Sequence, residues 1–206
     1  MKQTVIITII LIFGGAVFTI GQLQAREEVR ERARIREAGT YLAQQMRELE
    51  TARERRDNPL IDYPGFIELG EEVYAYRDKR RVSVDEFMRM AKDPGTIILD
   101  TRSKAKYDML HVAGAKHVNF SDFTVESLAE VIPSKDTRIL IYCNNNFFAD
   151  QVPRGSVSRE AFPGKSAPLA LNIPTFINLY GYGYQNIYEL KPAVNPQNTA
   201  LRLEAS

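Results

Sequence analysis

The stretch Arg138-Ile-Leu-Ile-Tyr-Cys143-Asn-Asn-Asn-Phe-Phe148 carries the strongest structural signal in the chain. Its apolar run is rich in β-branched and aromatic residues, follows Pro133 and stops at three asparagines, which predicts a buried strand ending in a loop. Cys143, the last residue of that run, is the only cysteine in the sequence. Open α/β sheets bind ligands at the carboxyl ends of their strands, and loop N–H groups there can hold a thiolate. Position alone fits a reactive thiol and a buried structural cysteine equally well.

Composition restricts the classes of function that the chain can have. Its 206 residues leave room for one ordinary domain with extensions, and a formal net charge of +1 gives no sign of nucleic-acid binding. One cysteine excludes an internal disulfide and a multi-cysteine zinc site, and two histidines leave little for a metal centre. We therefore expect no metal, no cofactor and no nucleic-acid partner.

The N-terminus has the pattern of an export signal. Lys2 precedes an uncharged apolar run over residues 4–20, and Ala25 is a candidate cleavage position. The run is long for a signal peptide and slightly short for a membrane span, so residues 1–25 fit both a cleaved signal and an uncleaved membrane anchor. For a bacterial source, we expect the remainder in the periplasm or attached to the outer face of the inner membrane.

The segment over residues 26–58 is dense in Arg, Glu, Ala and Gln, which predicts a long helix ended by Pro59. Ile35, Leu42 and Leu49 recur every seven residues along it. This stripe fits a short coiled coil that forms a homodimer through residues 26–56. It equally fits a solvated helix, or a spacer that holds a domain away from a membrane.

From residue 82 to residue 192, strand and helix patterns alternate. This predicts an α/β domain with a mostly parallel sheet covered on both faces. A connecting segment over 59–81 is expected to be rich in turns, with a short strand at 72–76. Helix caps are expected at Ser83 and at Ser121 or Asp122.

Two further segments show no sustained period. Residues 149–168 carry three prolines and two glycines, which predicts an inserted loop of the kind that often forms a lid. Residues 193–206 are expected to be a loosely ordered tail.

Five pieces of the sequence occur in an order that resembles the rhodanese-like domain family, over residues 82–192. They are Ser83-Val-Asp-Glu-Phe87, Ile98-Leu-Asp-Thr-Arg102, Tyr107 with His111-Val-Ala-Gly-Ala-Lys-His-Val-Asn119, Ile139-Leu-Ile-Tyr-Cys143 and Gly181-Tyr-Gly-Tyr-Gln-Asn-Ile-Tyr-Glu-Leu190. The resemblance implies a three-layer α/β fold around a mostly parallel sheet. It also implies a sulfurtransferase in which Cys143 takes up sulfane sulfur as a persulfide and passes it to a thiophilic acceptor.

The same resemblance implies roles for other residues. The loop that cradles the thiolate would consist of Asn144, Asn145, Asn146, Phe147 and Phe148. Asp100 and Arg102 are expected to form an ion pair that staples the structure. His111 and Asn119 are expected to hold turns beside the sheet.

The loop departs from the family pattern Cys-x-x-Gly-x-Arg at two positions. Asn146 stands where the glycine is expected, and asparagine tolerates left-handed backbone geometry well enough for a tight loop. Phe148 stands at the arginine position, so a fixed positive charge for an anionic donor is missing. Candidate replacements in the inserted loop are Arg154, Arg159 and Lys165. A cysteine phosphatase of related fold is disfavoured, because it needs that arginine to clamp phosphate.

Three functions fit these observations. The first is a sulfurtransferase whose partners are a small sulfur donor and a thiol acceptor, which includes a protein thiol. The second is a catalytically weak rhodanese-like module that binds a partner through the inserted loop and the long helix. The third is a periplasmic thiol that forms a mixed disulfide as a redox sensor. A thiol pKa well below about 8.5 would favour the first and the third.

Overall fold

A computed structural model describes the backbone of residues 2–206 and the side chains of residues 26–53, 58–148 and 150–206. The chain divides into two compact units, Met1–Phe66 and Ile67–Ser206. Among the residues described in this way, no helix combines the length and the apolar character needed to cross a membrane. The signal or anchor expected at residues 1–25 lies outside the residues whose side chains are described.

The first unit consists mainly of helix α1, Lys2–Asp57. It ends before Pro59, as the composition predicts, because proline cannot continue a helix. The stripe residues Ile35, Leu42 and Leu49 are all more than three-fifths exposed. A homodimer and a spacer therefore both stay predictions.

Helix α2, Tyr63–Asp78, occupies the region where turns and a short strand were expected, so that prediction is wrong. The helix begins where the side chain of Asp62 accepts the N–H of Gly65 at 3.0 Å, and Pro64 supplies a φ angle suited to the first turn. Val73 is buried, with Leu69 and Tyr76 half-buried around it. These three positions follow helical spacing, which the short apolar alternation at 72–76 conceals.

The second unit continues with five further helices and seven strands among the described residues. The strands are β1 Arg81–Val82, β2 Thr96–Asp100, β3 His111–Val112, β4 Lys116–His117, β5 Arg138–Tyr142, β6 Ile187–Leu190 and β7 Leu203–Glu204; the helices are α3 Val84–Met90, α4 Lys104–Met109, α5 Val125–Val131, α6 Val157–Ala161 and α7 Asn172–Gly181. The main sheet has the order β1-β6-β5-β2-β4, and its pairs are all parallel. This confirms the expected α/β fold with a central parallel sheet.

The core lies on both faces of that sheet because the side chains of β5 alternate. Ile139 and Ile141 pack with residues of α2, α5 and α7 in one cluster. Leu140 and Tyr142 pack with residues of α3 and α6 in the other. The period of two along the strand thus produces the three layers.

The predicted helix caps are half right. Ser83 caps α3, since its side chain accepts the N–H of Glu86 at 3.2 Å. Ser121 and Asp122 do not cap α5, because they lie inside a 3₁₀ turn over Phe120–Asp122. Thr124 is the cap instead: its backbone is extended, and its hydroxyl accepts the N–H of Ser127 at 3.1 Å.

The inserted segment over 149–168 is not an irregular loop throughout. Helix α6 lies within it, and Val152, Ala161 and Phe162 are buried. Burial of these apolar groups against the sheet stabilises the segment, although they follow no single period.

The tail over 193–206 is ordered, so the expectation of a loose tail is wrong. Strand β7 pairs antiparallel with β3, and Leu201 is buried. The N–H of Val194 donates to the carbonyl of Asn146 at 2.9 Å, and the N–H of Phe148 donates to the carbonyl of Val194 at 2.8 Å. The tail therefore fixes the loop that follows Cys143.

Candidate active site at Cys143

Cys143 lies at the carboxyl end of β5, the central strand of the sheet. It continues the alternation of Ile139 and Ile141, so its side chain points to the face on which α7 packs. The backbone N–H groups of Asn145, Leu171 and Asn172 act on its sulfur. The last two belong to the N-terminus of α7, the positive end of the helix dipole.

Cys143 is 1% exposed. Burial raises its pKa, the N–H groups of Asn172 and Asn145 lower it, and the carboxylate of Glu189 raises it again. Burial prevails, so the pKa lies above its ordinary value. The structure therefore does not show the low thiol pKa that would favour the first and third functions.

The loop over Asn144–Asn146 is a 3₁₀ turn held by the side chain of Asn146. Its Oδ1 accepts the N–H of Cys143 at 2.9 Å, and its Nδ2 donates to the carbonyls of Leu190 and Pro192 at 2.7 and 3.0 Å. None of the described non-glycine residues has a positive φ. The left-handed geometry that asparagine tolerates is therefore not used in this loop. The side-chain amide of Asn146 holds the tight turn at the position where the family pattern has glycine.

Asn145 ties the inserted segment to the loop. Its Nδ2 donates to the carbonyl of Lys165 at 2.8 Å, and its Oδ1 accepts the N–H of Lys165 at 3.1 Å. Phe147 is buried and stacks on Phe162, with ring centroids 3.9 Å apart, whereas Phe148 is 41% exposed. Of the five cradle residues predicted from the sequence, Asn145 and Asn146 direct their N–H groups at the thiol, and the side chain of Asn146 fixes the backbone around it.

The three candidate cations are placed less favourably. Arg154 and Lys165 are exposed, and Arg159 donates from Nη1 to the carbonyl of Val152 at 3.1 Å. The five strongest influences on the Cys143 pKa are burial, three backbone N–H groups and Glu189. None of the three cations is among them.

Asp100 and Arg102 form a buried ion pair with an Nη2 to Oδ2 distance of 2.7 Å. Arg102 also donates to the carbonyls of Ala161 and Leu110 at 3.0 and 2.7 Å. The hydroxyl of Tyr142 donates to Asp100. The guanidinium thus joins β2, α4 and the inserted segment, and its donors are committed to structure.

His111 is the first residue of β3, and Asn119 directly precedes the 3₁₀ turn over Phe120–Asp122. Nδ1 of His111 is 2.8 Å from the carbonyl oxygen of Tyr107, and the two rings stack. The carbonyl of Asn119 accepts the N–H of Asp122 at 2.8 Å, which opens the 3₁₀ turn.

Residues outside the sequence motifs also shape the site. Leu171, Asn172 and Glu189 all act on the thiol, yet none was predicted to. The one available signal was Asn172 itself, since asparagine is favoured at helix starts and Pro174 follows closely. A separate cavity of about 420 Å³ lies beside the start of β2, and Cys143 is not among its lining residues.

These features define a class of protein: an α/β domain with parallel strands and a cysteine at a strand end, beneath N–H groups of a loop and a helix. A family model described as the rhodanese-like domain matches residues 83–191, just over half of the 206-residue chain. The chain belongs to the rhodanese-like domain family. Membership supports, in general terms, a sulfurtransferase or a related module.

Other comparisons add little. No curated protein matches the chain. Among solved structures, the BH2092 protein from Bacillus halodurans is similar at 15% identity, over 60% of this chain and 76% of that chain, with a TM-score of 0.36. At that score the likeness carries no argument.

Proposed function

We propose that the protein is a sulfurtransferase that carries sulfane sulfur as a persulfide on Cys143 and passes it to a thiophilic acceptor. The observation that carries this proposal is the thiol at the end of β5, on which three backbone N–H groups act, two of them at the N-terminus of α7. Such a cradle stabilises negative charge that develops on sulfur, with donors already in place.

The proposed reaction has two steps. The thiolate of Cys143 attacks the outer sulfur of the donor, a bond between the two sulfurs forms, and the bond within the donor breaks with its electron pair leaving on the donor fragment. The thiol proton of Cys143 ends on that fragment. In the second step the thiolate of a small thiol or of a protein thiol attacks the bound sulfur and forms a new sulfur–sulfur bond. The bond between that sulfur and Cys143 breaks, and its electron pair leaves on Cys143 as the thiolate. The steps need neither metal nor cofactor, and we infer that they take place outside the cytoplasm.

The test is the intact mass of the purified chain after brief exposure to thiosulfate and, separately, to a polysulfide. We expect a gain of about one sulfur atom that cyanide removes and that is absent in Cys143→Ser. The absence of an adduct with both donors would refute the proposal. A mixed disulfide with a small thiol, in place of a persulfide, would indicate the redox sensor.

A second candidate is the catalytically weak module that binds a partner. The deep burial of Cys143 and its raised pKa favour this reading, because a neutral, covered thiol is a poor nucleophile. Reaction with iodoacetamide separates the two candidates. A sulfurtransferase must let a small reagent reach Cys143 in the folded chain, whereas the binding module has no need of such access.

A further inference from the structure

Asn172, the first residue of α7, presents an unused hydrogen-bond acceptor beside Cys143. The residue is 3% exposed, and its Oδ1 is buried without a hydrogen-bond partner among the described residues. Buried polar atoms are nearly always paired, because leaving one unpaired forfeits its hydration. An unpaired acceptor at this place therefore indicates a partner that the folded chain does not itself supply.

The orientation of the Asn172 amide follows from its neighbour. Its Nδ2 donates at 3.0 Å to Oδ1 of Asn146, the oxygen that also accepts the N–H of Cys143. Asn146 Nδ2 is occupied by two carbonyls, so Asn146 must offer its oxygen here. The flipped amide would bring two oxygens together. The free atom of Asn172 is thus an acceptor, on a residue whose own N–H acts on the thiol.

The charges around Cys143 bear on which donor the site can hold. Thiosulfate carries two negative charges and offers only acceptor atoms. The buried carboxylate of Glu189 acts on the thiol and is itself paired with Arg77, with Nε and Nη2 at 2.6 and 2.7 Å, and with Arg81 at 3.8 Å. The guanidinium of Arg102 is bound to Asp100. The guanidinium groups of Arg77 and Arg102 are thus already bound to carboxylates. A dianion would be desolvated there beside the unpaired amide oxygen of Asn172, which opposes it.

We propose that Asn172 Oδ1 accepts a hydrogen bond from the transferred sulfur of a hydropersulfide, R–S–S–H, and so selects a proton-bearing donor over thiosulfate. This specificity role rests on the proposed sulfurtransferase function. The thiolate of Cys143 attacks the sulfur that bears hydrogen, a new sulfur–sulfur bond forms, and the bond within the donor breaks. The electron pair leaves on R–S⁻, which takes up the proton that Cys143 lost. The hydrogen on the transferred sulfur stays in place, so the same acceptor holds it before and after the step, and no oxidant or reductant is consumed.

The experiment measures how fast the full chain gains sulfur on Cys143 from an alkyl hydropersulfide generated in situ and from thiosulfate. We expect wild-type loading from the hydropersulfide to be faster by about tenfold or more, the worth of one buried hydrogen bond plus the avoided charge. In Asn172→Ala the rate of loading from the hydropersulfide should fall about tenfold more than the rate of loading from thiosulfate. Asn178→Ala is the matched control, since this asparagine lies in the same helix and bonds the carbonyl of Pro174. It should keep the wild-type ratio.

Each result decides the matter. Wild-type loading from thiosulfate at an equal or greater rate would overturn the specificity role, and this holds even if Asn172→Ala fails to fold. Equal loss of both rates in Asn172→Ala would show that Asn172 has only a structural role and that its Oδ1 binds a water. Absence of any adduct from either donor would refute the proposed function itself, and the specificity role with it.

Discussion

Asn146 and Cys143 hold each other at the end of β5. The side-chain oxygen of Asn146 accepts the N–H of Cys143 at 2.9 Å, and the N–H of Asn146 donates to the carbonyl of Cys143 at 3.0 Å. The same amide donates to two carbonyls at the end of β6, so one side chain connects the loop to the neighbouring strand. The family glycine could not make these bonds.

Restoring that glycine should therefore destabilise this chain. Asn146→Gly removes three side-chain hydrogen bonds to backbone groups and frees the loop, and we expect a loss of about 2–4 kcal/mol in the free energy of unfolding. Denaturant titration measures it. Asn178→Ala, which loses one half-buried bond to Pro174, should cost about 1 kcal/mol. Wild-type stability in Asn146→Gly would show that the amide network contributes nothing.

The contact between Asn145 and Lys165 should control access to Cys143. Both bonds use the backbone of Lys165, so Asn145→Ala releases the inserted segment, whereas Lys165→Ala keeps them. We expect iodoacetamide to react several times faster with Cys143 in Asn145→Ala than in Lys165→Ala, which should match wild type. Equal rates in all three proteins would mean that the segment does not cover the thiol.

The central strands were predictable, and most of the site's surroundings were not. β2 and β5 are continuous apolar runs, which only a strand buried on both faces explains well. α2 was missed because its buried positions are few and its apolar residues alternate locally. Asn172 and Glu189 reach Cys143 from segments far along the chain, and the tail is ordered by pairing with β3. Such contacts depend on tertiary packing that no local pattern encodes.

The raised pKa of Cys143 predicts how its reactivity depends on pH. Only the thiolate reacts, so alkylation should rise about tenfold per pH unit and continue to rise above about 8.5, the value of an unperturbed thiol. The same shift affects stability, because the folded state favours the neutral thiol. Its stabilising contribution is fully present below the thiol pKa of the unfolded chain and is lost as the pH rises through the thiol pKa of the folded chain. Iodoacetamide rates across pH, with the urea-unfolded chain as reference, check the prediction. A plateau below the unfolded value would contradict it.

The candidate cations of the inserted segment should not govern sulfur loading. Arg154 and Lys165 are exposed and none of the three is among the strongest influences on the thiol. Changing Arg154, Arg159 and Lys165 together to glutamine should leave the thiosulfate rate within about twofold, since exposed charges are screened by salt. The measurement is loading at low and high ionic strength. A large loss of the thiosulfate rate that is confined to low salt would show that these three residues contact the anionic donor.

The buried ion pair of Asp100 and Arg102 should stabilise the fold. The positive charge of Arg102 should not act on the sulfur donor. Arg102→Met leaves the Asp100 carboxylate buried without its cation, and breaking such a pair costs about 3–5 kcal/mol. Arg102→Lys keeps the charge but loses the planar fork that reaches Asp100, Ala161 and Leu110, so it should fall between Met and wild type. Arg89→Met removes an exposed pair with Glu86 and should change little. Denaturation midpoints should fall in the order Arg89→Met, Arg102→Lys, Arg102→Met. The reverse order would indicate that Arg102 acts chiefly as an exposed anion contact. If Arg102 acts only on stability, sulfur loading of Arg102→Lys should equal that of wild type for both donors, when it is measured under conditions in which the variant is fully folded.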